Sequence, residues 1–537
     1  MRVVVVGSGA SAVHFARTLL DRGDDVLMVD VGREGPPPIN VEDSFEDLKR
    51  NLEDPAAYLL GERLEGVRYP GVAAEDESLP PHRAHLFEPA KPAELRAEGF
   101  APRLSLARGG LAEAWTGGAY PWRREETVDF PFPHEDLAAA YDVVAERIGV
   151  SGAADDLAAR VPVHRHLLPP LPLDEHSEVL LQRYGENRLV LRRLGAVFGR
   201  ARNAVLPHDG LGRKGCTLLG RCALGCPTES LWTPSAMLRE LRARARFEYR
   251  PGLRAKWFRA DDDRRVRALV VERLDGAGDA EIEVERLALG AGTLASTRIF
   301  LESWRRAGGE PARLAGLMDN RQVLVPFLSW RMIRRRHDAR TYQYHQLALA
   351  LDGFEPRNGV VGLVTTLKTA SVHALAQRLP FDLRTGLRMF RDVHAALGEV
   401  SVSFPDHRRR TCWAELADGP EEGGAGERPL VVRYEPPTGE TALIGRTLVR
   451  VRRALAALGA LAVPGATRVR PTGASAHYAG TLPMTREDRP FTATPDGASR
   501  DFAGLDLIDG ATFPFLPASS PAFTLMANAT RIAGRAR

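Results

Sequence analysis

An apolar run, Val3-Val4-Val5-Val6, meets Gly7-Ser8-Gly9-Ala10-Ser11-Ala12, and Val13, Phe15, Ala16, Leu19 and Leu20 continue as the apolar face of a helix. Arg22-Gly23-Asp24 stops that helix, and Asp25-Val26-Leu27-Met28-Val29-Asp30 alternates into a second strand. Strand, tight turn, helix and strand in this order open a dinucleotide-binding α/β unit. Gly7 permits the turn, Gly9 lets a pyrophosphate approach the backbone, and small Ala12 lets helix and strand pack closely. The first helical N–H groups, that of Ser11 among them, aim at the phosphates. Asp30, placed 23 residues after Gly7, suits a ribose hydroxyl and disfavours a 2'-phosphate, with Arg33 nearby.

A chain of 537 residues is expected to hold two or three domains, since single cores rarely grow past about 300 residues. Lys+Arg 73 against Asp+Glu 69 leaves a net charge of +4, too near balance to call for a nucleic-acid or membrane partner. The arginine cluster at 331–336 reads as a solvated face. With the first strand beginning at Arg2 there is no room for a secretory signal, and no apolar run reaches the about 18 residues of a membrane helix, so a cytoplasmic protein is expected. Four cysteines are too few for a disulfide framework.

Further along, residues 50–100 read as an excursion over the surface, and a second glycine cluster follows, Gly109-Gly110-Leu111-Ala112-Glu113-Ala114-Trp115-Thr116-Gly117-Gly118, a segment that permits close backbone approach to a ligand. Residues 134–152 carry an amphipathic helix with a glycine stop. Residues 264–275 and 280–290 alternate as paired strands about Gly276-Ala277-Gly278-Asp279. The second ends at Gly290-Ala291-Gly292 before a helix over 294–303. From about 320 to 470 longer alternating runs, such as 323–328 and 400–404, predict a sheet-based second domain.

The last sixty or so residues hold His477-Tyr478-Ala479-Gly480-Thr481, a strand over 505–510 with Asp509-Gly510, then Phe513-Pro514, and Ser520-Pro521-Ala522-Phe523-Thr524 opening a helix over 525–532. Together with the opening fingerprint these residues resemble the glucose-methanol-choline (GMC) family of flavin-dependent oxidoreductases. Its H-x-x-G-T segment matches at His477, Gly480 and Thr481; its D-x-S-x-F-P segment matches at Asp509, Phe513 and Pro514, with Ala511 where serine is usual. Residues 109–118 look like the family's flavin-covering segment, and 289–301 like its small-residue strand and helix. Cys216, Cys222 and Cys226 look like the cysteine-bearing segment of a bacterial branch.

The resemblance implies FAD as cofactor and an α/β fold: a Rossmann-like FAD-binding domain over 1–310 and 471–537, with a substrate domain on a largely antiparallel sheet over 311–470. It places Gly7, Gly9, Ser11, Ala12, Asp30, Gly109, Gly110, Trp115, Gly117, Gly118, Ala291, Gly292, Asp509, Gly510 and Thr524 against the cofactor. It implies oxidation of a primary or secondary alcohol, of sugar, aminosugar or polyol type, by hydride transfer to flavin N5, with dioxygen or another acceptor taking the electrons. An alcohol releases hydride readily only as its hydroxyl proton leaves, so a base is needed, and His477 is the candidate. The final helix, beginning near Thr524, either stabilises a reduced flavin through its dipole or is an ordinary capped helix.

Two departures stand out. Ser520 occupies the place where Asn or His is usual, and a hydroxyl cannot act as a base near neutral pH. Glu113 replaces an expected Asn; it either meets a cationic substrate group, serves as an extra acid or base, turns to solvent, or pairs with Arg108. C-x5-C-x3-C lacks a fourth ligand and zinc-ribbon spacing, so no metal is expected; free thiols, or a disulfide from Cys222 to Cys216 or Cys226, remain open. His164-Arg165-His166 reads as surface. A flavin-retaining lyase or isomerase, an NAD-dependent dehydrogenase and a non-enzymatic nucleotide-binding subunit are the competing readings.

Overall fold

The computed structural model describes residues 2–64, 79–87, 95–367, 381–418 and 427–535. Among them, five parallel strands stand in the order Leu505–Leu507, Arg286–Leu289, Arg2–Val6, Asp25–Val29, Phe247–Arg250. Val3, Val4 and Val5 are fully buried, which is why this strand is a continuous apolar run rather than an alternating one. The helix Ala10–Asp21 packs on the C-terminal helix Ala522–Arg535, which packs in turn on His134–Ile148. In the last of these Leu137, Ala140, Tyr141, Val144, Ala145 and Ile148 are buried at helical spacing, and Gly149 at φ 69° ends it, as the sequence predicts.

A second sheet is antiparallel, in the order Ala460–Ala462, Gln322–Ser329, Leu397–Ser403, Val360–Thr366, Leu347–Leu351, Ala196–Arg200, with Arg468–Val469 also paired to Gln322–Ser329. Val323, Val325, Phe327, Val400 and Val402 face one way into a core shared with the helices Glu175–Arg193 and Glu440–Ala457. Their alternates face the other way, toward the first sheet's carboxyl edge.

Domain membership differs from the contiguous blocks the sequence suggests. The helix Glu175–Arg193 and the strand Ala196–Arg200 belong to the antiparallel sheet's core, although they lie within 1–310. Conversely Arg313–Ala315, Trp413–Leu416 and Leu430–Arg433 pair with one another, and their Leu314, Ala414 and Val432 join the core of the parallel sheet, although they lie within 311–470. The chain crosses between the two bodies repeatedly, and strands this short carry too little alternation to show it.

Residues 280–290 also form two strands rather than one. Gly278–Glu283 pairs antiparallel with Val266–Arg273, confirming the hairpin, but the chain then leaves that sheet, and Arg286–Leu289 runs parallel to Arg2–Val6. His164 is a further correction: it is buried with its ring against Phe523, while Arg165 and His166 are exposed. No helix of the described residues is long and apolar enough to cross a membrane.

Candidate active site

A cavity of about 790 Å³ separates the carboxyl edge of the parallel sheet from the polar face of the antiparallel one. Among the described residues three long helices, Ala10–Asp21, Thr293–Arg306 and Ala522–Arg535, bring their N-terminal ends to its wall. The first has Gly9 as its cap, no capping side chain and no acid in its first turn, so its leading N–H groups remain as donors for a phosphate. Gly7 adopts φ 92°, and a Cβ there would lie 2.8 Å from the Gly290 carbonyl oxygen. Ala12 does not reach the cavity. It packs so closely on Gly290 that a Cβ at Gly290 would come within 3.1 Å of Ala12 Cβ.

Asp30 lines the cavity at the end of the second strand and accepts hydrogen bonds from Ser8 Oγ and, at 3.2 Å, from Tyr249 Oη. Burial pushes its carboxyl up to about 6, so it is mostly ionised at neutral pH, as a ribose acceptor must be. The Gly109 N–H donates to Ser8 Oγ at 2.8 Å, which ties the glycine-rich segment to the fingerprint. Gly110, Trp115 and Gly118 line the cavity, and Trp115 Nε1 donates to Trp232 O at 2.7 Å. Gly117 does not: its φ of 80° serves close packing, since a Cβ there would meet Leu231 at 2.7 Å.

Glu113 is turned away from the cavity, against the expectation that it meets a substrate group or supplies an acid or base. Its carboxylate accepts from Ser235 N at 2.8 Å, capping the helix Pro234–Arg242, while Arg108 pairs with Glu34. The physical reason is the unsatisfied N–H groups of that helix's first turn, which need an acceptor inside the protein. Burial raises the Glu113 carboxyl above its ordinary range.

Ala291, Gly292, Asp509 and Gly510 form the opposite rim. Asp509 spends its oxygens on the protein: Oδ2 accepts from Gly292 N at 2.9 Å and Ser296 Oγ at 2.6 Å, and Oδ1 from Ala511 N at 3.0 Å. It thus fixes both small-residue turns. Thr524 lies inside the last helix with its hydroxyl on Tyr141 Oη at 2.6 Å, away from the cavity; Ser520, Pro521, Ala522 and Leu525 are the residues of that helix end which face it.

His477 projects into the same space. Its neighbours explain the H-x-x-G-T spacing: Tyr478–Ala479 pairs with Met318–Asp319, and Gly480 at φ 92° passes so near Gly316 O that a Cβ would lie 2.6 Å from it. Thr481 Oγ1 lies 2.7 Å from Thr297 Oγ1 on the second of the three helices. The short ladder also brings Asn320 to the imidazole, with His477 Nδ1 3.0 Å from Asn320 Oδ1. Asn320 donates through Nδ2 to Phe404 O at 2.9 Å and Pro517 O at 3.0 Å, so its Oδ1 can only accept, and the proton belongs on His477 Nδ1. Nε2 is then left as a lone-pair base.

Behind it, Asp319 accepts from Gly473 N at 2.8 Å and from Ser475 Oγ, and Ser475 Oγ accepts from His477 N at 2.9 Å. Burial pushes Asp319 up to about 7. Burial, and then the charge of Arg470, lower His477 to about 4, so the ring is neutral at physiological pH. Asn320, Asp319 and Arg470 are site residues that sequence reading misses. Asp319 closes the two-residue strand Met318–Asp319 and Asn320 follows it, and only the pairing of that strand with the H-x-x-G-T segment reveals them.

Cys216, Cys222 and Cys226 are unbridged and pack with Leu231 and Tyr342 in a small apolar cluster beside the cavity wall. Burial raises Cys222 most strongly, which disfavours its thiolate.

No family model and no curated protein matches the sequence. Solved structures do match its fold. Pyridoxine 4-oxidase from Mesorbium loti is similar over 100% of this chain and 99% of its own, at 16% identity and a TM-score of 0.57. A mutated formate oxidase from Aspergillus oryzae RIB40, studied for its FAD modification, is similar over 99% of this chain and 97% of its own, at 11% identity and a TM-score of 0.61. The chain shares its fold with these two proteins over essentially its whole length.

Proposed function

We propose that the protein is an FAD-dependent oxidoreductase that takes hydride from a hydroxyl-bearing carbon of a small molecule, with His477 as the base. One observation carries this reading: a neutral imidazole, its Nδ1 proton held by Asn320, opens Nε2 into a cavity edged by donors suited to a dinucleotide. Bound FAD would supply the hydride acceptor. The first helix's N–H groups and Gly9 fit its pyrophosphate, Asp30 fits its ribose, and the Gly109 to Gly118 segment and the N-terminal end of the last helix fit its ring. Both similar structures are named as oxidases, which supports dioxygen as electron acceptor.

The protein's own share of the chemistry is proton handling and exclusion of water. A substrate hydroxyl donates to His477 Nε2 and loses its proton there as the hydride departs; the resulting imidazolium is stabilised through Nδ1–H by Asn320 Oδ1. Ser520 can orient the same oxygen by a hydrogen bond but cannot take its proton.

The test is direct. Purified protein should be yellow with the spectrum of oxidised flavin, and an alcohol substrate should bleach it without oxygen. His477→Ala should keep the colour and lose the bleaching. A colourless folded protein, or an alanine variant that bleaches at the wild-type rate, overturns the reading.

A further inference from the structure

The base stands between two fixed points of one short loop. On its C-terminal side, Tyr478–Ala479 is held in the ladder with Met318–Asp319. On its N-terminal side lies Ala476, whose φ of 60° puts a residue with a Cβ in the left-handed region. Relative to glycine, an alanine there loses about five- to thirtyfold in population, so the conformation persists only where its surroundings impose it. The loop's own turn imposes little, since Ala476 N donates to Gly473 O at 3.4 Å.

The imposing contacts come from Asp319. Its Oδ2 accepts from Gly473 N at 2.8 Å, and its Oδ1 accepts from Ser475 Oγ. Ser475 Oγ accepts in turn from His477 N at 2.9 Å, so one carboxylate and one hydroxyl grip the chain on both sides of the left-handed residue. Asp319 is itself buried and held, its backbone N donating to Asp406 Oδ2 at 3.0 Å. Two consecutive residues thus act on one histidine at different levels: Asn320 on the proton of the ring, Asp319 on the backbone that aims it. Were Ala476 to relax to a negative φ, the peptide joining it to His477 would turn, and Nδ1 would lose its 3.0 Å contact with Asn320 Oδ1.

We propose that Asp319 is a positioning residue for the base: through Gly473 N and the Ser475 hydroxyl it holds Ala476 left-handed, and that conformation keeps the His477 imidazole on Asn320 and in the cavity. This rests on the reading of His477 given above. The two roles open to a buried carboxylate here differ in sign. If Asp319 only packs the loop, more backbone freedom at position 476 does harm. If it imposes a disfavoured conformation, glycine at 476 compensates for its loss, because glycine adopts that conformation without a steric penalty.

The variants are therefore read in pairs. In holoenzyme carrying isotope-labelled histidine, the His477 Nδ1–H resonance, identified by its loss in His477→Ala, should be sharp in the wild type. Ser475→Ala breaks the link from Asp319 to His477 N and should weaken that resonance about tenfold, the worth of one hydrogen bond. Adding Ala476→Gly to it should bring back at least half of the signal. Asp319→Asn keeps the shape but accepts through one atom only, and should show the same loss and the same rescue. An intact resonance in Ser475→Ala and Asp319→Asn, or a glycine that fails to restore the signal or weakens it further, overturns the assignment. Anaerobic bleaching of the same proteins by benzyl alcohol and by glycerol separates the two levels. Loss and rescue of the resonance with no bleaching by either alcohol keeps the positioning role and removes the hydride chemistry; bleaching at the wild-type rate in every variant, with an unchanged resonance, does the reverse.

Discussion

The parallel sheet buries both its faces, so all it offers the cavity is its carboxyl edge: turns, glycines and helix N-termini. The antiparallel sheet buries one face and presents the other broadside, with Gln322, Ser401, Ser403, Glu399 and Thr365 as its polar members. An edge of backbone donors suits a ligand of invariant shape and charge. A face of side chains can change its chemistry one residue at a time without disturbing the fold. His477 sits where the two meet, on a loop whose short ladder is laced to the antiparallel side through Asp319 and Asn320.

If that division is right, the largest effect belongs to the junction. His477→Ala should slow flavin bleaching by about 10²- to 10⁴-fold while flavin content stays at the wild-type level, measured by rapid-mixing absorbance. Loss of colour along with rate would show that the imidazole belongs to the cofactor edge instead.

Next comes the edge itself. Gly7→Ala forces a Cβ into a left-handed position 2.8 Å from Gly290 O, at a cost of about 2–4 kcal/mol from backbone strain and crowding. The expected result is protein that retains little flavin, whereas Ser403→Ala on the opposite face should retain all of it. Spectra of the two purified variants decide the matter, and equal flavin contents would break the division.

Asn320 sharpens it further. Asn320→Leu removes the acceptor that holds the His477 proton on Nδ1, and with it about 1–3 kcal/mol, so kcat should fall about ten- to a hundredfold with little change in KM. The pH profile is the more specific readout. His477 is lowered to about 4, so the neutral base persists as pH falls, and kcat/KM should stay level from neutrality and drop only near pH 4. An acid limb near 6.5, the unperturbed histidine value, would contradict the burial of that ring.

The parts legible in the sequence are those whose physics is local. Gly7, Gly9 and Ala12 specify one turn within six residues, and His477, Gly480 and Thr481 one ladder within five, so spacing alone carries them. Asn320 lies 157 residues from His477 and meets it only after two strands pair, which no window of sequence shows. Arg470 is one arginine among many until Gln322 and the cavity wall give it a direction. The membership of Ala196–Arg200 in the antiparallel sheet was equally hidden, because five largely buried residues of an edge strand look like any buried run. Glu113 misleads for a related reason: its neighbours Ala112 and Ala114 do face the cavity, and a short helical turn points consecutive side chains in different directions.

Glu113 also supplies the smallest effect, one that separates a cap from a catalyst. Its carboxyl is raised in the folded protein by burial, so folding favours the protonated form: that contribution is complete below the unfolded value and is lost as pH climbs through the folded one. Glutamine mimics the protonated acid and can still accept from Ser235 N. Glu113→Gln should therefore match the wild type near pH 4 and be equal or slightly more stable at pH 8, by no more than about 1 kcal/mol, in thermal melts at the two pH values. Glu113→Ala, which leaves that N–H without its acceptor, should instead lose about 1 kcal/mol. Neither variant should alter bleaching by any substrate, charged or neutral. A kinetic defect confined to amine-bearing alcohols would return this residue to the cavity.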